Sequence, residues 1–76
     1  MTTTYQQLII AAANEAKNCQ QSMKDGRWTP TKAIAYETAL LAVMHHVNDN
    51  GGKASRIKIE DEIDIVVANI GAEVAA

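Results

Sequence analysis

Two adjacent histidines, His45 and His46, are the residues of this 76-residue chain that most directly suggest metal binding or acid–base chemistry. Successive side chains on a helix point about 100° apart, so the two rings do not bind one ion from the same face. Asp49 follows His45 at the i, i+4 spacing, but a zinc site needs further ligands. We therefore expect no metal site, and we place both histidines in the last turn of a helix, beside its free carbonyl groups.

The turn-rich segment 48–55 has the residue types of a calcium loop or a phosphate cradle, but not their spacing. With Gly51 at the sixth position of a calcium loop, His46 and Ile57 would occupy the first and twelfth, where carboxylates are required. The run from Gly51 to Ser55 also lacks the order of a Walker loop. We expect neither a metal ion nor another cofactor here.

Cys19 is the one cysteine of the chain and its one candidate thiol nucleophile. It lies on an apolar helical seam between Ala16 and Met23, which favours a small buried side chain. A catalytic thiol would need an activating base and a positive environment. We predict that the protein is not an enzyme. A single cysteine forms no internal disulfide, which favours a reducing, cytoplasmic setting.

Arg27 and Trp28 stand together in a short loop and belong to the residue types most frequent in binding hot spots. Trp28 either covers the end of the helical core as a lid or stands out as a binding anchor, and the sequence leaves both open. The acidic run at 60–64 is either a solvated surface or a patch for a basic partner. The predicted partner-binding residues are Arg27, Trp28, Lys32, Glu60, Asp61 and Asp64.

Lys53, Arg56 and Lys58 form a small basic cluster that carries an alternative hypothesis, a nucleic-acid-binding regulator. The net charge of −2 and the absence of aromatic residues beside this cluster argue against it. A third hypothesis is a small-ligand or nucleotide site at a dimer seam, near the two histidines and Arg56.

Turn-forming residues divide the chain into three segments. Gly26 followed by Thr29 and Pro30 is typical of one helix ending and the next beginning, and 48–52 forms a second turn. Within each segment apolar residues recur at steps of three and four. The sequence predicts an all-α fold, a three-helix antiparallel bundle with helices at about 4–24, 30–48 and 59–74, in one domain, 1–76. The alternation of Ile57 and Ile59 with basic residues predicts an extended or frayed lead-in at 54–58. Whether the segment 54–67 starts as a strand or as a helix is left open.

The apolar positions identify the faces that each helix is expected to bury. Helix one has a narrow seam, whereas helix two is apolar on most sides and is predicted to be the central element. The expected seams are Tyr5, Ile9, Ala12, Ala16, Cys19 and Met23 in helix one, Ala33, Tyr36, Leu40, Val43 and Val47 in helix two, and Ile59, Ile63, Val66, Ile70 and Val74 in helix three.

Several large apolar residues remain outside these seams, Ile10 among them, and such surface usually marks an interface. We predict a symmetric homodimer with helix two near the two-fold axis, and the rival is a monomer whose patch binds another protein. The predicted dimer contacts are Ile34, Leu41, Met44 and Ile65.

Size and composition favour a non-enzymatic interaction protein. We expect a regulator or inhibitor that binds and occludes a larger assembly, of the kind that phages direct at host or defence complexes. The chain has no apolar run of the ~18 residues that a membrane span needs, and no basic signal-peptide start, so neither membrane insertion nor export is expected.

Overall fold

The computed structural model describes residues 4–75, with side chains described for 4–69. It contains α1 (Tyr5–Asp25), α2 (Pro30–Asp49) and α3 (Arg56–Ala75), and this part of the chain contains no strand. The all-α prediction is confirmed, and both ends of α1 and α2 fall within one residue of their predicted positions. The predicted seam residues Ile70 and Val74 lie outside the described side chains.

Local signals determine where α1 begins and ends. The Thr4 hydroxyl accepts a hydrogen bond from the Gln7 amide at 3.2 Å, and the Thr4 amide donates to the Gln7 side chain at 2.9 Å. These reciprocal bonds complete a capping box. At the other end Gly26 is left-handed (φ 71°), and the Arg27 amide donates to the Ser22 carbonyl at 2.8 Å. This Schellman-type cap ends α1 and fixes the direction in which the chain leaves it.

The start of α3 corrects the predicted boundary. The helix begins at Arg56, three residues before Ile59, and the non-helical approach is 52–55. The Ile59 amide donates to the Ser55 carbonyl at 3.0 Å, which begins the helical hydrogen bonding. Helical backbone at 56–58 lets the carbonyls of these residues accept the hydrogen bonds of the following turn, and it places Arg56 where it pairs with Glu60 one turn later. The acidic run therefore begins after the first turn of α3. Its negative charges do not lie in the turn where they would interact with the helix dipole.

The central helix is α1, and the prediction that helix two is central is wrong. α1 packs against both other helices, whereas α2 and α3 share few contacts. Ala12, Ala13 and Ala16 are buried and small, so two helices approach the α1 backbone closely. The buried core consists of Ile9, Ala12, Ala13 and Ala16 of α1, Leu40 and Val43 of α2, and Ile59 and Ile63 of α3.

α3 crosses α1 at a large angle. Glu62 and Asp64 are about 3 Å apart along α3, since a helix rises 1.5 Å per residue. Glu62 accepts a hydrogen bond from the hydroxyl of Tyr5, in the first turn of α1. Asp64 instead lines a pocket with Ala16 and Cys19, about 16–21 Å further along α1. Two neighbouring residues of α3 therefore reach distant parts of α1, and the antiparallel order predicted for three aligned helices is not shown by these contacts.

Several residues of the predicted seams and of the predicted dimer face can be compared with the observed burial. Met23 continues the inner stripe of α1, yet it is 67% exposed because the buried part of that stripe ends at Ala16. Met23 is therefore wrongly predicted as a seam residue. Met44, predicted to face a second copy, is half-buried and packs on the core of its own chain. The other predicted dimer contacts, Ile34, Leu41 and Ile65, are exposed.

Candidate functional site

The two histidines lie near the C-terminal end of α2, with His46 in its last turn. His46 lies beside Tyr5, with ring centroids 6.2 Å apart, and its carbonyl accepts a hydrogen bond from the Asn50 side chain at 2.8 Å. His45 is exposed. Within the described part of the chain, no group of three histidine, cysteine, aspartate or glutamate side chains is arranged to hold a metal ion.

Cys19 opens onto a small pocket whose described lining contains no histidine, lysine or arginine. The pocket has a volume of about 240 Å³, and its ionisable neighbours are the phenol of Tyr36 and the carboxyl of Asp64. The thiol donates a hydrogen bond to the Lys32 carbonyl at 3.1 Å. Partial burial raises the pKa of Tyr36, and the negative charges of Glu60 and Asp64 raise it further. The charges near this pocket are therefore negative, whereas a reactive thiolate requires positive charge nearby.

Arg56 is held between carboxylates of two helices. Its guanidinium pairs with Glu37 of α2 and with Glu60 of its own helix, the latter at 3.3 Å. The hydrogen bonds and charge of Glu37, followed by those of Glu60, raise the pKa of Arg56. Lys53 and Lys58 are the two cations of the predicted nucleic-acid cluster that lie outside this network. Two cations are fewer than binding to a phosphate backbone requires.

Apolar and cationic side chains lie close together in sequence around the α1–α2 connection. We define Met23, Lys24, Arg27, Trp28 and Lys32 as the docking end. Trp28 is 45% exposed and is not among the residues that pack against the buried core. In the described structure the three cations of the docking end make no ion pair. Residues 21–34 carry a net charge of +2, although the whole chain carries −2.

Hydrogen bonds hold the backbone on both sides of the docking end. The cap at Gly26 sets the position of Arg27, and the Lys32 amide donates to the Thr29 carbonyl at 3.1 Å at the start of α2. The Cys19 thiol connects α1 to the Lys32 carbonyl. Binding to a preorganised surface loses less conformational entropy than binding to a mobile loop.

The six predicted partner-binding residues do not all lie on one surface. Arg27, Trp28 and Lys32 belong to the docking end, and the pocket that holds Asp64 adjoins it through Cys19. Glu60 is engaged by Arg56. Asp61 is exposed on α3, where no hydrogen bond or ion pair ties it to the docking end. The sequence did not identify Met23, because its place on the apolar seam predicts burial.

A second candidate surface, the α1–α3 groove, arises where α3 crosses the beginning of α1. The groove has a volume of about 390 Å³. Ile65 of α3 is 61% exposed at its edge, and Ile10 of α1 is exposed next to the groove residue Ile9. In the sequence, this surface was indicated by Ile10 and Ile65, which lie outside the predicted seams. The groove is lined by Tyr5, Gln6, Ile9, Glu62, Ile65 and Val66.

The polar end of the groove gives a pH prediction. Partial burial raises the pKa of Tyr5 to about 12, and the hydrogen bond to Glu62 and the charge of that carboxylate add to the shift. Because the unfolded phenol loses its proton near pH 10, folding stability should fall as the pH rises from about 10 to 12.

Absorbance titration of the phenolates checks this prediction. Glu62→Gln should lower the pKa of Tyr5 while leaving Tyr36, which faces Glu60 and Asp64, at its raised value. Wild-type protein in which both tyrosines titrate together near pH 10 would contradict the Tyr5–Glu62 contact.

Among the residues that the structure describes, none of the helices is apolar over a length that would cross a membrane.

The strongest candidate site is the docking end, and the α1–α3 groove is a separate apolar surface. Comparisons of the chain with protein-family models, with curated proteins and with solved structures found no match.

Proposed function

We propose that this chain is a non-enzymatic interaction protein, a regulator or inhibitor that binds a larger protein through its docking end and occludes part of it. The observation that carries the proposal is the exposure of Met23 and Trp28 among three cations that have no intramolecular ion pair in the described structure. Tryptophan and arginine dominate binding hot spots because they combine a large contact area with directed polar groups. Inhibitors that phages direct at host or defence complexes are the class we favour, on size and composition alone.

The charge of the docking end indicates the chemistry of the partner. Lys24, Arg27 and Lys32 favour a partner surface with carboxylates around an apolar pocket large enough for Trp28. The acidic residues of this chain concentrate instead on α3, between 60 and 64. The docking end and this acidic run therefore differ in charge, which orients the chain on its partner.

The alternatives receive less support from the geometry. A nucleic-acid regulator would use Lys53, Arg56 and Lys58, but Glu37 and Glu60 offset the charge of Arg56. A nucleotide site near the histidines would need Arg56 free for the phosphates. Cys19 as the single cysteine is consistent with the reducing, cytoplasmic setting that we also propose.

We further infer that α1 and α2 run antiparallel, which places the docking end at a tight reversal of the chain. Two contacts support this order, Cys19 with Lys32 and Tyr5 with His46. From the first contact to the second, the position moves back along α1 by the same number of residues as it moves forward along α2. The four-residue connection 26–29 is also short enough to join antiparallel neighbours.

Site-specific photo-crosslinking tests the proposed function. A photoreactive amino acid replaces Trp28 in one variant and the exposed α1 residue Asn14 in a control, and each is irradiated in lysate of the cells in which the protein acts. We expect position 28 to capture a defined protein that position 14 does not capture. An excess of unlabelled wild-type protein should abolish the capture.

Charge reversal provides the matched comparison. Unlabelled Arg27→Glu should compete at least about tenfold less well than wild type, because it places a carboxylate against the acidic partner surface. Lys58→Glu, the same change at an exposed cation on α3, should compete like wild type. Equal capture from positions 14 and 28, or equal competition by both variants, would contradict the proposal.

A further inference from the structure

We infer that the pocket beside Cys19 binds a primary alkylammonium group, the charged end of a short aliphatic amine. All three helices contribute to the lining of this junction pocket, which consists of Ala16, Cys19, Gln20, Tyr36 and Asp64. The inference does not rest on the proposed function. It also concerns a different place from the small-ligand site that the sequence suggested near the two histidines.

Each helix contributes to the junction pocket one residue whose side chain can accept a hydrogen bond. These residues are Gln20 of α1, Tyr36 of α2 and Asp64 of α3. Within the described structure, none of the three side chains makes a hydrogen bond or an ion pair with another residue. A primary ammonium group has three N–H donors and no acceptor. The pocket therefore has one acceptor residue for each donor of a single ammonium group.

The charges around the junction pocket favour a cation. The phenol of Tyr36 is affected by three carboxylates and one guanidinium, which belong to Glu37, Glu60, Asp64 and Arg56. Glu37 and Glu60 are paired with Arg56, whereas Asp64 has no ion pair among the described residues. The pocket lining includes no lysine or arginine. A bound cation would therefore offset the charge of Asp64, and an anion would be repelled.

The size and the apolar part of the lining indicate a short alkyl chain on this ammonium group. The pocket has a volume of about 240 Å³, whereas pockets for drug-sized ligands begin at roughly 300 Å³. The methyl group of Ala16 and the ring of Tyr36 provide apolar surface for the chain. A metal ion is a poorer occupant, because no three metal-binding side chains are grouped in the described part of the structure.

Titration of the protein with butylammonium chloride, followed by the amide chemical shifts in heteronuclear NMR, tests the inference. We expect saturable shifts at the residues that line the junction pocket. Butanol has a similar chain without the charge, and butyltrimethylammonium has the charge without N–H donors. Both should bind at least about tenfold more weakly, because neither makes charge-assisted hydrogen bonds to the acceptors of the pocket.

Two matched carboxylate variants locate the binding site. Asp64→Asn should raise the dissociation constant for butylammonium by about tenfold or more, because it removes the charge of the pocket and keeps the shape of the side chain. Asp61→Asn removes the same charge from an exposed position on the same helix, outside the pocket lining, and should bind like the wild type. Circular dichroism verifies the helical fold of both variants.

Three results would overturn the assignment of the junction pocket. The first is a wild type whose amide shifts do not change or do not saturate with butylammonium. The second is equally tight binding of butanol or of butyltrimethylammonium. The third is an equal dissociation constant for Asp64→Asn and Asp61→Asn, whether both variants keep the affinity or both lose it.

Discussion

Ile63→Ala is expected to lower the free energy of unfolding by about 2–5 kcal/mol, which is a large part of the stability of a domain this small. The Ile63 side chain is fully buried, and Ile63 and Ile59 are the buried core residues of α3 among its described side chains. Truncation removes apolar contacts and leaves a cavity that alanine neighbours such as Ala12 are too small to fill. Urea denaturation followed by circular dichroism measures the change.

Ile57→Ala is the matched control for this prediction. It makes the same truncation on the same helix at an exposed position, so its effect should stay within about 0.5 kcal/mol. Equal destabilisation by both variants would contradict the packing of α3 through Ile63.

Enlarging a central alanine tests the close approach of the helices. Ala12→Leu should destabilise the fold by about 1–3 kcal/mol, because Ala12 is completely buried in the central helix and an added isobutyl group forces the neighbouring helices apart. The free energy of unfolding from urea denaturation is again the measured quantity.

Ala11→Leu separates packing from helix propensity. Ala11 is one position away on the same helix and is exposed, and leucine is almost as good a helix former as alanine. We expect a change of no more than a few tenths of a kcal/mol at this site. If both leucine variants were equally stable, α1 would not be the closely packed central helix.

Features set by neighbouring residues were predictable from the sequence. The capping box of Thr4 and Gln7 and the left-handed Gly26 depend on hydrogen bonds within a few residues, and both are observed. The apolar steps of three and four identified the helices for the same reason. The start of α3 was misplaced because Arg56, which pairs with Glu37 of another helix, alternates with the isoleucines as in a strand.

The arrangement of the helices depends on packing that a linear pattern does not specify. A stripe of small residues such as Ala12 and Ala16 indicates close approach, but it does not say which helices approach or at what angle. Met23 is uncovered near the end of α1, and the α1–α3 groove lies beside Ile65. Both candidate surfaces thus arise from tertiary structure, although Arg27, Trp28 and Lys32 were recognisable by residue type.

The measurement that tests the central claim most directly uses the single tryptophan of the chain, which lies in the docking end. With 5-hydroxytryptophan at position 28, its emission is distinguishable from that of the tryptophans of a partner. We expect the free chain to be readily quenched by acrylamide, and the partner identified by crosslinking to shift the emission to shorter wavelength and to suppress quenching. A partner that binds the chain while the emission and quenching of this residue stay unchanged would contradict the assignment of the docking end as the binding surface.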